Sequence, residues 1–261
     1  MRDFLTRIIT EAGEISLDYK RRLKDLEVTR KSAKDLVTAA DVAVERYLVE
    51  QIQAACPGHG ILGEESGVHP GGEYRWIIDP IDGTTSFVHD QPFYGVSVAL
   101  EYRGQLVLGA VNAPALGELF VAEVDNGATL NGRPIAVSAR EELGDAVVGT
   151  GFACTRDNLE HNNLAYLGRV MPQIRDLRRY GSAAVDLAYV ACGRLDGFWE
   201  LNLKLYDVAA GVVIVREAGG IVTDFEGGTG RMPGEIAAGN PAVHGKLLRA
   251  LRGEAPVKKE T

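Results

Sequence analysis

Cysteine is scarce: only Cys56, Cys154 and Cys192 occur in 261 residues. They are far apart, odd in number and form no Cys-x-x-Cys pair. A disulfide framework and a zinc knuckle are therefore excluded as organising features. Free thiols, buried as small hydrophobes in a reducing cytoplasm, are the expectation, and a cytoplasmic location goes with it. Long hydrophobic runs are missing too. No stretch approaches about 18 apolar residues without charge, so no membrane span is predicted. The opening MRDFLTRIITEAGE carries charges throughout and has no apolar h-region, so no secretory signal is expected. Positive charge is in deficit, with 28 Lys plus Arg against 36 Asp plus Glu, a formal net charge of −8. Such a surface repels phosphate backbones, so no direct nucleic-acid partner is expected. Small phosphorylated substrates remain open, because a bound metal ion reverses the local sign. The histidines His59, His69, His89, His161 and His244 form no metal-ligand spacing and read as surface or loop residues.

What is present is an ordinary globular composition, 46% hydrophobic and 25% charged, enough for one large domain or two halves sharing an interface. Phe4, Leu5, Ile8, Ile9, Ala12 and Ile15 recur at helical spacing and predict a helix over about 3–22. The basic stretch Arg30 to Lys34 reads as an exposed loop. A second helix starts near Thr38, presents Val44, Tyr47, Leu48 and Ile52 on one face, and stops at Pro57-Gly58. Trp76 to Asp79 reads as a strand ending at Pro80. Phe93 to Tyr102, Gln105 to Ala113 and Leu119 to Val124 read as further strands, with turns at Arg103-Gly104, Asn126-Gly127 and Asn131-Gly132. The first half is thus two helices and an antiparallel meander.

The second half alternates. Strands are predicted at Asp145 to Gly151, Gly197 to Glu200, Ile221 to Asp224 and Ile236 to Ala238. Helices are predicted over about 158–170, Ser182 to Cys192, Val208 to Glu217 and about 241–252. That alternation implies an α/β layer. The seam falls near residue 140, giving halves 1–140 and 141–261, and the tail from Glu254 reads as frayed.

Four acidic segments do not look like surface. In Trp76-Ile-Ile-Asp-Pro-Ile-Asp-Gly-Thr-Thr85, Asp79 ends an apolar strand and Asp82 follows in a tight turn. Two carboxylates so placed repel each other unless a cation lies between them, and a hard oxygen-seeking ion such as Mg²⁺ fits. The Ile81 carbonyl offers a further oxygen. Thr84 and Thr85 offer hydroxyl and N–H groups where a phosphate can dock. Gly63-Glu64-Glu65-Ser66-Gly67 can lend carboxylates to the same ions. Thr38 and Asp41 match a helix capping box, and Asp41 can alternatively orient a water. Asp207, in Tyr206-Asp-Val-Ala-Ala-Gly211, reads as a plain N-cap or as a ligand aimed from a helix start.

Together, in this order and over nearly the whole chain, Asp35-Leu-Val-Thr-Ala-Ala-Asp41, Gly63 to Ser66, Trp76 to Thr85, Tyr206 to Gly211 and Glu217-Ala-Gly-Gly220 resemble the inositol monophosphatase family of Mg²⁺-dependent, lithium-sensitive phosphatases. The resemblance implies a layered αβαβα sandwich, α+β with an antiparallel N-terminal half and an α/β C-terminal half, commonly dimeric. It implies two or three Mg²⁺ ions held by Glu64, Asp79, the Ile81 carbonyl, Asp82 and Asp207. Thr84 and Asp41 match the pair that activates the attacking water, and Glu65 is a supporting or third-metal participant. Gly83, Thr84 and Thr85 match the phosphate-holding turn. Glu200, in Phe198-Trp-Glu200, matches a contact to substrate hydroxyls, and Gly181, Ser182 and Ala183 match the opposite wall. Three departures stand out. Tyr206 replaces a frequent Trp, Ser86 a frequent Asn, and Lys31 falls one residue short of a loop lysine that reaches the site in some members. Asp186 is predicted on a helix facing the site or an interface.

The expected reaction is hydrolysis of a small phosphate monoester, with myo-inositol 1-phosphate as leading substrate. Two ions about 3.5–4 Å apart cancel the phosphate charge, acidify water and stabilise the leaving alkoxide. Histidinol phosphate, fructose 1,6-bisphosphate, NADP(H) and phosphoadenosine phosphate are alternatives that the resemblance allows. So is a regulatory role through a macromolecular partner.

Overall fold

The computed structural model describes residues 1–23, 28–30, 36–156 and 159–254. Its N-terminal elements are α1 (Arg2–Lys20), β1 (Val28–Arg30), β2 (Leu36–Thr38), α2 (Ala39–Ala55), β3 (Gly60–Gly63), β4 (Gly67–His69), β5 (Tyr74–Asp82) and α3 (Thr84–Val88). Strands β6 (Gly95–Tyr102), β7 (Gln105–Ala113), β8 (Glu118–Glu123), β9 (Ala128–Leu130) and β10 (Arg133–Pro134) follow. Then come β11 (Val147–Thr150), α4 (Ala153–Arg156), α5 (Asn163–Val170), β12 (Asp176–Arg178), α6 (Ala183–Ala191), β13 (Gly197–Leu201), α7 (Leu205–Glu217), β14 (Ile221–Thr223), β15 (Glu235–Gly239) and α8 (Pro241–Arg252).

Strands β3 to β10 form one sheet in the order β10-β9-β8-β7-β6-β5-β3-β4, and β11 to β15 form another in the order β12-β11-β13-β15-β14. Alternation along β5 sorts its side chains between two layers. Trp76 and Ile78 face Leu5, Ile8 and Ile9 of α1 and Val44, Leu48 and Ile52 of α2. Ile77 faces the other way, into a core shared with Leu187 of α6, Val212 of α7 and Phe198 of the second sheet. Every residue of α6 is buried, as a helix packed between two sheets requires. The far side of the second sheet packs Val148, Trp199 and Ala237 against Val243 and Leu247 of α8, with Val170 of α5 joining them. The layers therefore run helix, sheet, helix, sheet, helix: the αβαβα sandwich.

Several expectations change. The strand at Trp76 does not end at Pro80; it runs Tyr74–Asp82. A bulge makes this possible. Asp79 pairs with Ser97 and Asp82 with Gly95, so one extra residue sits opposite the partner strand, and the missing N–H of Pro80 costs no regular ladder bond. The first sheet is not a pure meander, because β3 and β5 are parallel and β3–β4 is a hairpin that periodicity missed. The second sheet mixes parallel pairs around β11 with antiparallel ones around β15. The strand expected from Phe93 starts at Gly95, α5 starts at Asn163, and α7 starts at Leu205, earlier than Val208. His244 is buried on α8, not at the surface, and bonds Thr223 Oγ1 at 3.0 Å. Arg30 ends β1, while residues 31–35, including Lys31 and Asp35, lie outside the described residues. So does the tail from Ala255. No helix among the described residues is long and apolar enough to cross a membrane.

Candidate active site

Three of the four acidic segments meet at a cavity of about 300 Å³, and Asp41, from the fourth, is linked to it through the Thr84 hydroxyl. Glu64, Asp79, Ile81, Asp82, Gly83, Thr84 and Thr85 line one side of it, and Gly181, Ala183, Glu200 and Asp207 belong to the rest of its wall. Carboxylate oxygens of Asp79, Asp82 and Asp207 all lie within 4.8 Å of one another. At that spacing and an effective dielectric near 20, each pair of charges repels by roughly 4 kcal/mol. A cation or a bound proton is needed to relieve this. Without a cation, protons take that role. Burial, with Glu64, Asp82 and Asp207 nearby, pushes Asp79 well above the ordinary carboxylate value. Burial, then Asp82, pushes Asp207 up to about 8.

Each acid is held. The bulge lets Asp79 accept the Ile81 N–H at 3.1 Å. Asp82 accepts the Ser182 hydroxyl and the Ala184 N–H, both at 2.6 Å. Ser182 also caps α6, accepting from the Val185 N–H at 3.2 Å, so it is buried behind Asp82 and does not line the cavity. Asp207 accepts the Lys204 N–H at 2.6 Å. It is therefore not an N-cap ahead of the helix but sits inside the first turn of α7, where a negative charge is favoured.

The Thr38–Asp41 capping box is formed. Asp41 accepts from the Thr38 N–H at 2.8 Å and from the Thr38 hydroxyl at 2.6 Å. Its other oxygen lies 3.5 Å from the Thr84 hydroxyl, which also reaches the Ile81 carbonyl at 3.1 Å. Burial raises Asp41 to about 6. Gly83 begins α3 with φ 93°, and a Cβ there would stand 3.0 Å from the Phe93 carbonyl oxygen and 3.1 Å from that of Gly181. Only glycine fits. The leading N–H groups of α3, at Thr84 and Thr85, have no intrahelical acceptor, and both residues line the cavity.

Sequence reasoning missed Glu45. This buried carboxylate accepts the Glu65 N–H at 2.9 Å and the Ser66 N–H at 2.6 Å, fixing the β3–β4 turn that presents Glu64. Its side chain falls in the α2 helical pattern, where nothing in the sequence sets it apart. Glu65 itself is outside the cavity lining. Arg179 and Lys204 were missed too, and both line the cavity.

The whole of this arrangement sits in a chain whose residues 1–255 match the model of the inositol monophosphatase family. The chain belongs to that family. Inositol monophosphatase family members among its relatives include an inositol-1-monophosphatase of Mesorhizobium japonicum, 42% identical over 88% of each chain. A Nus factor SuhB of Pseudomonas aeruginosa is 42% identical over 98% of this chain and 97% of that one. The crystal structure of extragenic suppressor protein suhB from Bartonella henselae superposes with a TM-score of 0.91 at 42% identity, covering 96% of this chain and 97% of that one. With family membership comes the reaction class, phosphoric monoester hydrolysis, and dependence on metal.

Proposed function

We propose that the protein hydrolyses myo-inositol 1-phosphate, or a closely similar small polyol phosphate, with Mg²⁺ as its metal. The observation that carries this reading is the Asp79, Asp82 and Asp207 cluster at the floor of a polar cavity walled by Glu200. The donor set is all oxygen, which suits a hard cation. Glu64, Asp79, Asp82, Asp207 and the Ile81 carbonyl would hold the ions; that carbonyl keeps a lone pair after accepting from Thr84. Bound there, such ions supply charge neutralisation for the phosphate dianion and its leaving alkoxide, and acidify water.

The remaining work falls to the chain. Thr84 has one hydroxyl proton and two acceptors, Ile81 and Asp41. Asp41, raised only to about 6, is mostly ionised at neutral pH and can take that bond. The Thr84 oxygen then presents lone pairs that orient the attacking water and take its proton as the Thr84 proton passes to Asp41. The N–H groups of Gly83, Thr84 and Thr85 hold the phosphate oxygens. Glu200 accepts from substrate hydroxyls, opposite Gly181 and Ala183.

A regulatory role through a protein partner is the second reading, and it rests on the relatives named Nus factor SuhB. The test is phosphate release, with and without Mg²⁺, from inositol 1-phosphate, histidinol phosphate, fructose 1,6-bisphosphate, NADP and phosphoadenosine phosphate. Preference for the first supports the named substrate, and preference for another moves it. No Mg²⁺-dependent release from any of them overturns the enzymatic reading.

A further inference from the structure

Glu200 cannot read hydroxyl positions unless its own carboxylate is fixed, and the structure shows how it is seated. A Cβ on Gly151 would come within 2.1 Å of Glu200 Oε2, so the carboxylate lies directly over the bare Gly151 backbone. The Ala153 N–H donates to Glu200 Oε1 at 3.0 Å. The seat is thus the segment that leaves β11, and it must keep its place relative to β13.

One side chain joins the two. Asn163, the first residue of α5, is fully buried, as are Thr150 and Trp199. Its Nδ2 donates to the Gly151 carbonyl at 2.5 Å and to Thr150 Oγ1 at 2.8 Å. Its Oδ1 accepts the Trp199 indole N–H at 2.7 Å, from the residue next to Glu200. Thr150 Oγ1 closes the ring by donating to the Trp199 carbonyl at 2.8 Å. The backbone N–H of Asn163 also reaches Cys154 Sγ at 3.2 Å. One carboxamide therefore fills three hydrogen bonds, to the residue under the Glu200 carboxylate, the residue before it and the strand residue beside Glu200. Such a closed buried network has one arrangement, because any rotation of the amide leaves a buried donor or acceptor unsatisfied.

We propose that Asn163 is a positioning residue for substrate selectivity: it fixes the Gly151 seat and thereby aims Glu200 at the hydroxyls of the leaving group. This rests on the phosphatase reading above. Asn163 touches neither the acidic cluster nor the phosphate turn, so its influence is confined to the alcohol end of the substrate. That separates it from a residue that merely supports the fold.

The experiment compares myo-inositol 1-phosphate with 4-nitrophenyl phosphate, whose leaving group has no hydroxyls to read. Asn163→Ala removes all three side-chain bonds. Thr150→Val keeps the shape and breaks two edges of the ring, and it serves if the alanine variant does not fold. The expected result is a fall of about tenfold in the ratio of kcat/KM for inositol phosphate over nitrophenyl phosphate, the scale of one hydrogen bond to a charged group. The loss appears mainly in KM for inositol phosphate, and the inhibition constant for inorganic phosphate stays put. A folded variant whose ratio remains that of the wild type overturns the role of Asn163 and leaves the phosphatase reading intact. A wild type that releases phosphate from neither ester overturns both.

Discussion

The hydroxyl of Ser182 donates to Asp82 at 2.6 Å, although 100 residues separate them. This bond ties the start of α6 to the turn after β5. It places the floor of the cavity and its opposite wall in one rigid unit.

Replacing Ser182 tests that tie. Ser182→Ala removes a hydroxyl donor to Asp82 and the cap of α6. The expected loss of stability is about 1–2 kcal/mol, read from denaturant unfolding. The Mg²⁺ concentration for half-maximal phosphate release should rise several-fold, since Asp82 is less well aimed. Unchanged values for both would show the bond to be incidental.

Glu45→Ala is expected to be the more severe change. Two buried or half-buried N–H groups, at Glu65 and Ser66, lose a charged acceptor. A stability loss of about 2–3 kcal/mol follows. The turn carrying Glu64 loosens with it, so kcat should fall even in protein that stays folded. Thermal melting and phosphate release on the same preparation check both parts.

The raised carboxyl values set a pH dependence for metal-free protein. Asp207 titrates near 8 when folded against 3.8 as a free side chain, and Asp79 is raised in the same direction. The folded state thus holds protons that the unfolded chain has released. This contribution is full below about pH 4 and is lost as pH climbs toward 8. Mg²⁺ should raise Tm by several degrees near pH 8 and by less near pH 5, where it must displace protons. Melting curves in chelator and in Mg²⁺ at both pH values measure this. A metal effect that shrinks as pH rises would contradict the assignment of these ligands.

The family resemblance leads us to expect a homodimer. Leu164 and Met171 are 58% and 56% exposed, and Gly168 lies between them with open space where a Cβ would be. Such an apolar stripe is suited to covering by a second copy. Light scattering should give a mass near twice 28.1 kDa, and Leu164→Glu should shift it toward one. A wild-type monomer would refute the expectation.

Much of this was legible in the sequence, and the gaps have physical causes. The helices showed because an apolar face repeats at 3.6 residues, as Leu5, Ile8, Ile9 and Ala12 do. The floor of the site showed because Asp79 and Asp82 stand in an apolar setting that ordinary surface acids lack. The β3–β4 hairpin did not show, since strands of four and three residues give alternation too little length. Continuation of β5 through Pro80 depends on a bulge, which is a property of the pairing with β6 rather than of either strand. Glu45 and Asn163 stayed hidden for a related reason. Each occupies an unremarkable helical position, and its partners lie on distant segments that only the fold brings near.

The most direct test of the central claim is phosphate release from myo-inositol 1-phosphate by wild-type protein and by Asp82→Asn across a Mg²⁺ titration. Asparagine keeps the size of the side chain and removes the charge that the cluster requires. The account expects release that rises with Mg²⁺ in the wild type and falls by about a hundredfold or more in the variant. An Asp82→Asn protein that retained full Mg²⁺-dependent activity would contradict it.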